Sequence, residues 1–424
     1  MLLNELLTLY AGHPQTKALA QQLKMKSKRG TAVSGLAQSA VAMYFAAVHG
    51  RVRRCMLFIM RDADEAGYLF QDLTNITGTG DVLLFPSSYK RAVKFGQRDA
   101  AGEIMRTETL TTLAKPQLAA RLIVTYPAAL AELVISRQKL DTNCINISKE
   151  QRIDMTQLAK RLRELGFREV DYVYEPGQYA VRGSILDVYS YSSEQPFRLD
   201  FFGDEIDSMR TFNVEDQLSM EMLDTLTIVP EIARMGTDKI PFPDFLPEDT
   251  IVVTHDLQYV TDAVDYIYKE GFSQQALSDR MSYATEMEKA DIMRELTASL
   301  NLCTATRMEE SLKPYKVVEL REQPAADVVF SCSPQPLLHK NFDLLAQTLE
   351  DYALKGYRIF ILSDSDKQHE RLREIMSNVA DGHGGGRRLE WTPVKGAVHE
   401  GYVDNVMQAV VFTDHQIFER YHRV

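Results

Sequence analysis

Short apolar runs that alternate with helical segments dominate the first 140 residues. The runs CMLFIM, DVLLFP and RLIVTYP begin at residues 55, 81 and 121, and DADEAGYLFQDLTNI between the first two predicts a helix with an acidic first turn. Strands buried on both faces and joined through helices form parallel sheets. We therefore predict a parallel α/β domain over residues 1–140.

The pattern changes to turn-punctuated strands between residues 141 and 235. A helix, DMTQLAKRLRELGF, ends at Gly166, and several short β-rich segments follow it up to LDTLTIVP. Successive strands joined by tight turns predict an antiparallel sheet with a flanking helix, inserted as a domain with its own core. Residues 236–320 are mixed and include a long polar helical stretch over 276–296, and residues 325–424 again predict a small α/β domain.

Composition limits the function classes. A length of 424 residues suggests about three domains. A net charge of −11 argues against sequence-independent DNA binding over the whole surface and favours a protein partner. The four cysteines form no CxxC pair, which argues against a zinc ribbon or a disulfide framework and fits a reducing cytoplasm. Because no run is apolar enough to span a bilayer and no secretory signal is present, we predict a cytoplasmic location.

The segment TAVSGLAQSAVA (31–42) lies where the first strand, loop and helix of a P-loop ATPase would be. Alignment with GxxxxGK[ST] places Ala32 and Ala37 at the two glycines, Gln38 at the lysine and Ser39 at the hydroxyl, with Gly35 between them. Without the lysine nothing reaches the β and γ phosphates, and alanine keeps the loop from wrapping as closely. We predict a degenerate P-loop that binds no nucleotide cofactor, although a plain strand-to-helix turn explains the segment as well.

Other candidate sites have simpler explanations. The basic segment KMKSKRG (24–30) is either a nucleic-acid patch or a helix C-terminus that ends at a glycine cap. Asp364 and Asp366 follow a strand, but no third metal ligand is evident and acidic residues before a helix are ordinary caps. His369 and Glu370 do not complete HExxH, because Arg373 stands at the second histidine. We therefore predict no catalytic residue and no metal site.

The stretch FRLDFFGDEID (197–207) predicts a β-hairpin with a Gly203-Asp204 turn of type II′ or I′. A two-residue turn sets the expected cross-strand pairs as Phe202 with Glu205, Phe201 with Ile206, Asp200 with Asp207 and Leu199 with Ser208.

Alternation assigns the two phenylalanines of the hairpin to opposite faces. Phe201 joins Leu199 and Ile206 on an apolar face that predicts the core. Phe202 stands with Arg198, Asp200, Glu205 and Asp207 on a charged, water-facing surface. A neighbouring strand or loop could cover its ring, but an aromatic beside an arginine and ringed by polar groups is also typical of an interface hot spot.

The segment EPGQYAVRGSILDVYSYSSEQPFRLDFFGDEIDSMRTFN (175–213) strongly resembles the UvrB-like segment of the bacterial transcription-repair coupling factors. The resemblance extends to both ends: GLAQSA lies where that family has a degenerate P-loop, and EGYVDNVMQAVVFTDHQIFER resembles the end of its third domain. It implies an α/β multidomain, UvrB-like module in which residues 236–320 are the second part of the first domain. Residues 236–320 match the family only in FPDFLPEDTIVV and in outline.

The resemblance also implies a function and site residues. In that family the second domain binds UvrA, the damage-recognition subunit of nucleotide excision repair, and its contact residues fall here on Arg182, Arg198 and Phe202. We expect Arg182, before Gly183, to lie where its strand bulges.

The implied role is non-catalytic recruitment. RNA polymerase and double-stranded DNA are further implied partners, through a polymerase-binding domain and an ATP-driven translocase that follow in intact members. Because no intact Walker A or DExH signature occurs here, we expect a fragment covering domains one to three.

Two alternatives remain open from the residues. A residual nucleotide-binding or DNA-remodelling, helicase-like unit would need the 31–42 loop to hold nucleotide, and Gln38 argues for no saturable ATP binding. An isolated DNA-binding module would use Lys24–Arg29 and Arg51–Arg54, and a steep salt dependence of DNA affinity would support it.

Overall fold

The computed structural model describes residues 1–25, 30–78, 80–88, 100–115, 119–149, 151–232, 238–272, 302–322, 325–382 and 389–419, with a few isolated residues between 235 and 289. Within these ranges, none of the helices combines the length and the apolar character that crossing a membrane requires. The predicted polar helix over 276–296 falls largely outside the described residues.

Helices and strands alternate along the described chain. The helices are α1 Leu3–Ala11, α2 Pro14–Lys24, α3 Ala40–Val52, α4 Ala63–Thr77, α5 Ala100–Ala114, α6 Pro127–Leu130, α7 Arg137–Asn143, α8 Met155–Glu164, α9 Leu257–Phe272, α10 Ala305–Leu312, α11 Phe342–Leu354, α12 Asp366–Gly382 and α13 Asp414–Ile417. The strands are β1 Gly30–Ser34, β2 Met56–Ile59, β3 Val82–Phe85, β4 Leu122–Thr125, β5 Val134–Ile135, β6 Ile145–Ser148, β7 Arg168–Glu169, β8 Gln178–Arg182, β9 Ile185–Val188, β10 Phe197–Phe202, β11 Glu205–Phe212, β12 Ser219–Met222, β13 Thr225–Ile228, β14 Lys239–Ile240, β15 Ile251–Thr254, β16 Lys316–Arg321, β17 Val328–Val329, β18 Cys332–Pro334, β19 Arg358–Ser363, β20 Thr392–Lys395, β21 Tyr402–Asp404 and β22 Ala409–Thr413.

A parallel seven-stranded sheet has the order β17-β1-β16-β15-β2-β4-β3. The three apolar runs of the sequence form β2, β3 and β4, and β2 and β4 are fully buried because helices cover both faces. The predicted helix after β2 is α4, where Asp62 caps the N-terminus by accepting from the Glu65 amide. The predicted parallel α/β class is confirmed.

A six-stranded sheet comes next along the chain, in the order β12-β11-β10-β9-β8-β7. Its neighbours pair antiparallel except β7 with β8. Helix α8 packs Leu158 and Leu162 onto one face of the sheet, which we call the inner face. The opposite face, the outer face, carries a second small apolar group that includes Ala180, Tyr189 and Phe212. The helix ends as the sequence predicts, since Gly166 adopts a positive φ of 87° just after it.

A five-stranded sheet, β18-β21-β22-β19-β20, forms the C-terminal part of the described chain. It does not stand apart from the parallel sheet, because one apolar cluster contains Tyr10 and Tyr44 together with Phe360, Tyr402 and Val411. Two further pairs, β13 with β6 and β14 with β5, flank the six-stranded sheet and the parallel sheet. The exact division into domains stays a prediction.

The end of α2 corrects one of the two explanations for the basic segment. A helix C-terminus with a glycine cap was one of them, but α2 ends at Lys24 with Met25 in an extended conformation as its cap. Gly30 instead begins β1, and residues 26–29 lie outside the described chain.

Candidate partner-binding face

The hairpin of β10 and β11 has the predicted turn but not the predicted register. Gly203 has a φ of 68°, whereas Asp204 is not among the residues with positive φ, and a type II′ turn requires this combination. The first two pairs, Phe202 with Glu205 and Phe201 with Ile206, are as predicted.

Beyond these pairs a β-bulge shifts the register by one residue. Asp200 pairs with Ser208 and Leu199 with Met209, so the pairings we predicted for Asp200 and Leu199 are wrong. The physical reason is packing: the extra residue turns Met209, which is fully buried, toward Leu199 in the core.

The two phenylalanines have opposite environments. Phe201 is 5% exposed and packs with Leu199 and Ile206 against α8, as predicted. Phe202 is 80% exposed, more than any other large apolar side chain in the described chain. No neighbouring strand or loop of the described residues covers it, so the apolar ring is accessible to water or to a partner.

Cross-strand pairing places the three residues implied by the resemblance on the outer face. Arg198 pairs with Asp187, and Ile185 pairs both with Arg182 and with Asp200, and directly opposed side chains share a face. Phe202 is two residues beyond Asp200 and therefore points the same way. The structure thus brings Arg182, Arg198 and Phe202 to one face, with Phe202 roughly 13 Å along the strand from Arg198.

Both arginines bind one buried carboxylate. The Arg198 Nε donates to Asp187 Oδ1 at 2.7 Å and its Nη2 donates to Oδ2 at 2.9 Å. Arg182 Nη2 donates to the same Oδ2. Asp187 is 0% exposed, whereas the side chains of Arg198 and Arg182 are 12% and 35% exposed. We call Arg182, Asp187 and Arg198 the arginine-aspartate cluster.

Aromatic rings and a glutamine complete the surroundings of this cluster. The Arg198 guanidinium lies 4.2 Å from the ring centre of Phe212, and that of Arg182 lies 4.6 Å from Tyr172. Arg198 also donates to the backbone oxygen and to the Oε1 of Gln217, at 3.2 Å in each case. The hydrogen bond to Asp187 raises the pKa of Arg198 above its usual range, against the opposing effect of burial. Two cations and one anion leave the cluster with a net positive charge.

Two expectations about these arginines are corrected. Arg198 does not stand free on a water-facing surface, because a bidentate pair with Asp187 turns it inward. Arg182 is not at a bulge, since Gly183 and Ser184 form a two-residue turn between β8 and β9 and Gly183 has a φ of 62°. Sequence reasoning missed Asp187, whose signal was a lone acid within the apolar strand segment ILDVY.

The loop aligned with a P-loop is held tightly by the rest of the chain. A Cβ on Gly35 would lie 1.9 Å from the carbonyl oxygen of Phe330, so the backbone packs directly against the segment after β17. Gln38 adopts a φ of 51°, and Ala32 and Ala37 fall in β1 and in this loop. The Ser39 hydroxyl donates to Asp72 Oδ2 at 2.5 Å and accepts from the Glu400 amide at 2.9 Å.

A cavity of about 750 Å³ opens beside this loop at the carboxyl ends of the parallel strands. Most of the acidic and basic residues of its lining are carboxylates, and these residues are Arg61, Asp62, Asp64, Glu65, Asp72, His255, Arg321, Glu322, His399 and Glu400. Burial raises the pKa of Asp72 to about 7. Asp72 Oδ1 also accepts from the His399 amide at 2.6 Å, so one carboxylate joins α4 to the segment before β21.

Two of the basic candidates, Arg51 and Arg54, are engaged in contacts within the chain. Arg51 donates to the Ala11 carbonyl at 2.7 Å, and Arg54 donates to those of Asp249 and Leu23 at 2.7 and 3.1 Å.

Asp366 and the four cysteines have the following surroundings. Asp366 begins α12 and pairs with Lys395 at 3.6 Å. Across the described residues, no group of three or more histidine, cysteine or acidic side chains could hold a metal ion. All four cysteines are free thiols.

Comparisons with known proteins agree with the resemblance. Residues 145–233 match the family described as the UvrB interaction domain. The transcription-repair-coupling factor of Bacillus subtilis (strain 168) is 28% identical over 198 residues, covering 47% of this chain and 17% of the relative. That of Escherichia coli (strain K12) is 27% identical over 240 residues, covering 56% and 21%. That of Staphylococcus haemolyticus (strain JCSC1435) is 22% identical over 446 residues, covering 91% and 38%.

The chain spans 17% to 38% of the length of these relatives, and the UvrB interaction domain coincides with the part that contains the six-stranded sheet. The chain is therefore similar to the bacterial transcription-repair-coupling factors, and this similarity includes a UvrB interaction domain.

Proposed function

We propose that this chain recruits excision repair to transcription by docking UvrA on the outer face of the six-stranded sheet. Phe202 is the observation that carries the proposal, because its ring is 80% exposed on the same face as the arginine-aspartate cluster. The match of residues 145–233 to the UvrB interaction domain supports a docking role for the part of the chain that carries this face.

The chemistry of the face fits a protein partner. An exposed aromatic ring stabilises a complex when association buries its apolar surface, and such rings supply much of the binding free energy in many interfaces. Arg182, which lies on the same face and is 35% exposed, supplies planar donors for a carboxylate on the partner. The Phe202 ring would therefore be the apolar contact with the partner, and the arginine-aspartate cluster would be the polar contact.

We further propose that the chain takes part through binding and not through catalysis. Gln38 stands where a P-loop ATPase has lysine, and Asp72 and the Glu400 amide already engage the Ser39 hydroxyl. We assign polymerase binding and ATP-driven translocation of the relatives to regions outside these 424 residues. The predicted domain limits, the degenerate P-loop and the cytoplasmic location belong to the same proposal.

Calorimetric titration of the chain with purified UvrA tests the docking face. Truncation of Phe202 to alanine should weaken binding by about 2 kcal/mol, and Arg182→Ala by about 1 kcal/mol, because both remove exposed contacts. Leu354→Ala is a matched control, since Leu354 is 64% exposed at the end of α11, on another unit. Unchanged affinity in both test variants, with the fold intact by circular dichroism, would overturn the proposal.

A further inference from the structure

Asp187 is an unusual residue for a sheet surface. It lies in β9 with its side chain 0% exposed, yet it belongs to the outer face and not to the apolar inner one. A buried carboxylate is strongly unfavourable unless cations and hydrogen bonds compensate it. Here both compensating cations are residues that the proposed function places in the docking face.

The two arginines of the cluster differ in what they can still bind. Arg198 uses both edges of its guanidinium on Asp187 and Gln217 and keeps only 12% of its side chain exposed. Arg182 gives one nitrogen to Asp187, lies against the Tyr172 ring and keeps 35% exposed. Only Arg182 of this pair therefore presents accessible donors.

We infer that Asp187 is a positioning residue that fixes the Arg182 guanidinium as a rigid donor for a carboxylate of the partner. Arg198 acts with it as an internal brace, held by Gln217 and by the ring of Phe212. A free arginine loses rotamer freedom on binding, and a braced one has lost it before the partner arrives. The inference rests on the proposed function, because it concerns the same face.

The direction in which one substitution changes the affinity for the partner separates a positioning role of Asp187 from an effect of its charge. Asp187→Asn removes an anion and makes the face more positive, so electrostatics alone would tighten binding to an acidic partner. Loss of the brace acts in the opposite direction, because Arg182 then has to be ordered on binding. Weaker binding of the asparagine variant is thus the outcome that positioning predicts.

A double-mutant cycle with purified UvrA tests the inference at fixed ionic strength. Asp187→Asn should weaken binding about fivefold or more, and the same change in an Arg182→Ala background should have almost no further effect. An equal loss in both backgrounds, or unchanged or tighter binding of the single variant, would overturn it. Arg198→Lys keeps the charge but loses the bidentate pair, so it gives a second cycle if the asparagine variant does not fold.

One control variant and the two variants of the proposed function separate this inference from that function. Asp404→Asn is a matched control, because Asp404 is a buried carboxylate bound by Tyr44 in another part of the chain and should leave UvrA affinity unchanged. If Phe202→Ala and Arg182→Ala both bind like the wild type, the proposed function fails. If they bind weakly while Asp187→Asn binds like the wild type, only the positioning role fails.

Discussion

At the scale of single residues, the doubled phenylalanine separates folding from binding. Phe201 is 5% exposed and Phe202 is 80% exposed, although they are neighbours on one strand. Alternation on a strand made this split predictable from the sequence. The fate of Arg198 was not predictable in the same way, because it depends on which residue of β9 lies opposite it.

This split gives a prediction about stability. Phe201→Ala should lower the free energy of unfolding by about 3 kcal/mol or more, because it leaves a cavity under the sheet. Phe202→Ala should change it by no more than about 0.5 kcal/mol, because the ring makes no buried contact to lose. Urea unfolding of the two variants measures the difference, and comparable losses in both would show that the ring of Phe202 is covered.

At the scale of elements, the sequence predicted the turn of the hairpin between β10 and β11 but not its β-bulge. A Gly-Asp pair between apolar strands identifies a two-residue turn, and the structure has it at Gly203 and Asp204. The bulge arises because Met209 packs better than Ser208 opposite Leu199 in the core. The sequences of both strands are compatible with either register, so the register depends on which side chains pack together in the core.

The turn glycine gives a second prediction. Gly203→Ala should destabilise the six-stranded unit by about 1 kcal/mol, because alanine at a φ of 68° is strained even though no atom lies within 4 Å of the added Cβ. Gly50 in α3 is the matched control, since its added Cβ also meets nothing within 4 Å. Gly50→Ala should stabilise by about 0.5 kcal/mol through helix propensity. Scanning calorimetry should therefore show shifts of opposite sign, and shifts of the same sign would contradict the turn assignment.

At the scale of the whole molecule, the parallel and five-stranded sheets are joined by contacts that no local pattern reveals. Tyr44 in α3 donates to the buried Asp404, and Ser39 and Asp72 bind the backbone of residues 399 and 400. These partners lie more than 300 residues apart in the sequence. The α/β class of each part followed from its strands and helices, but the shared core required the folded chain.

Asp72 makes the contact between the parallel and the five-stranded sheets sensitive to pH. Burial raises its pKa from 3.8 to about 7, so the folded state holds the proton more tightly than the unfolded state does. The wild type should therefore lose stability as the pH rises from about 4 to about 7, because the buried side chain must then ionise, with little further loss above that range.

Comparison of the wild type with Asp72→Asn isolates this effect. Asparagine can still accept from the His399 amide, and its NH₂ group can donate to the Ser39 hydroxyl in place of the bond that Ser39 donates to Asp72. Hydrogen bonds to both partners therefore remain while the charge is removed. The stability of the variant relative to the wild type should rise by a few kcal/mol between pH 4 and pH 7 and then level off. Thermal unfolding across this range measures it, with Asp364→Asn as the control for an exposed aspartate. Parallel curves for the wild type and Asp72→Asn would mean that Asp72 is already ionised in the folded chain, and that the contact between the two sheets tolerates its charge.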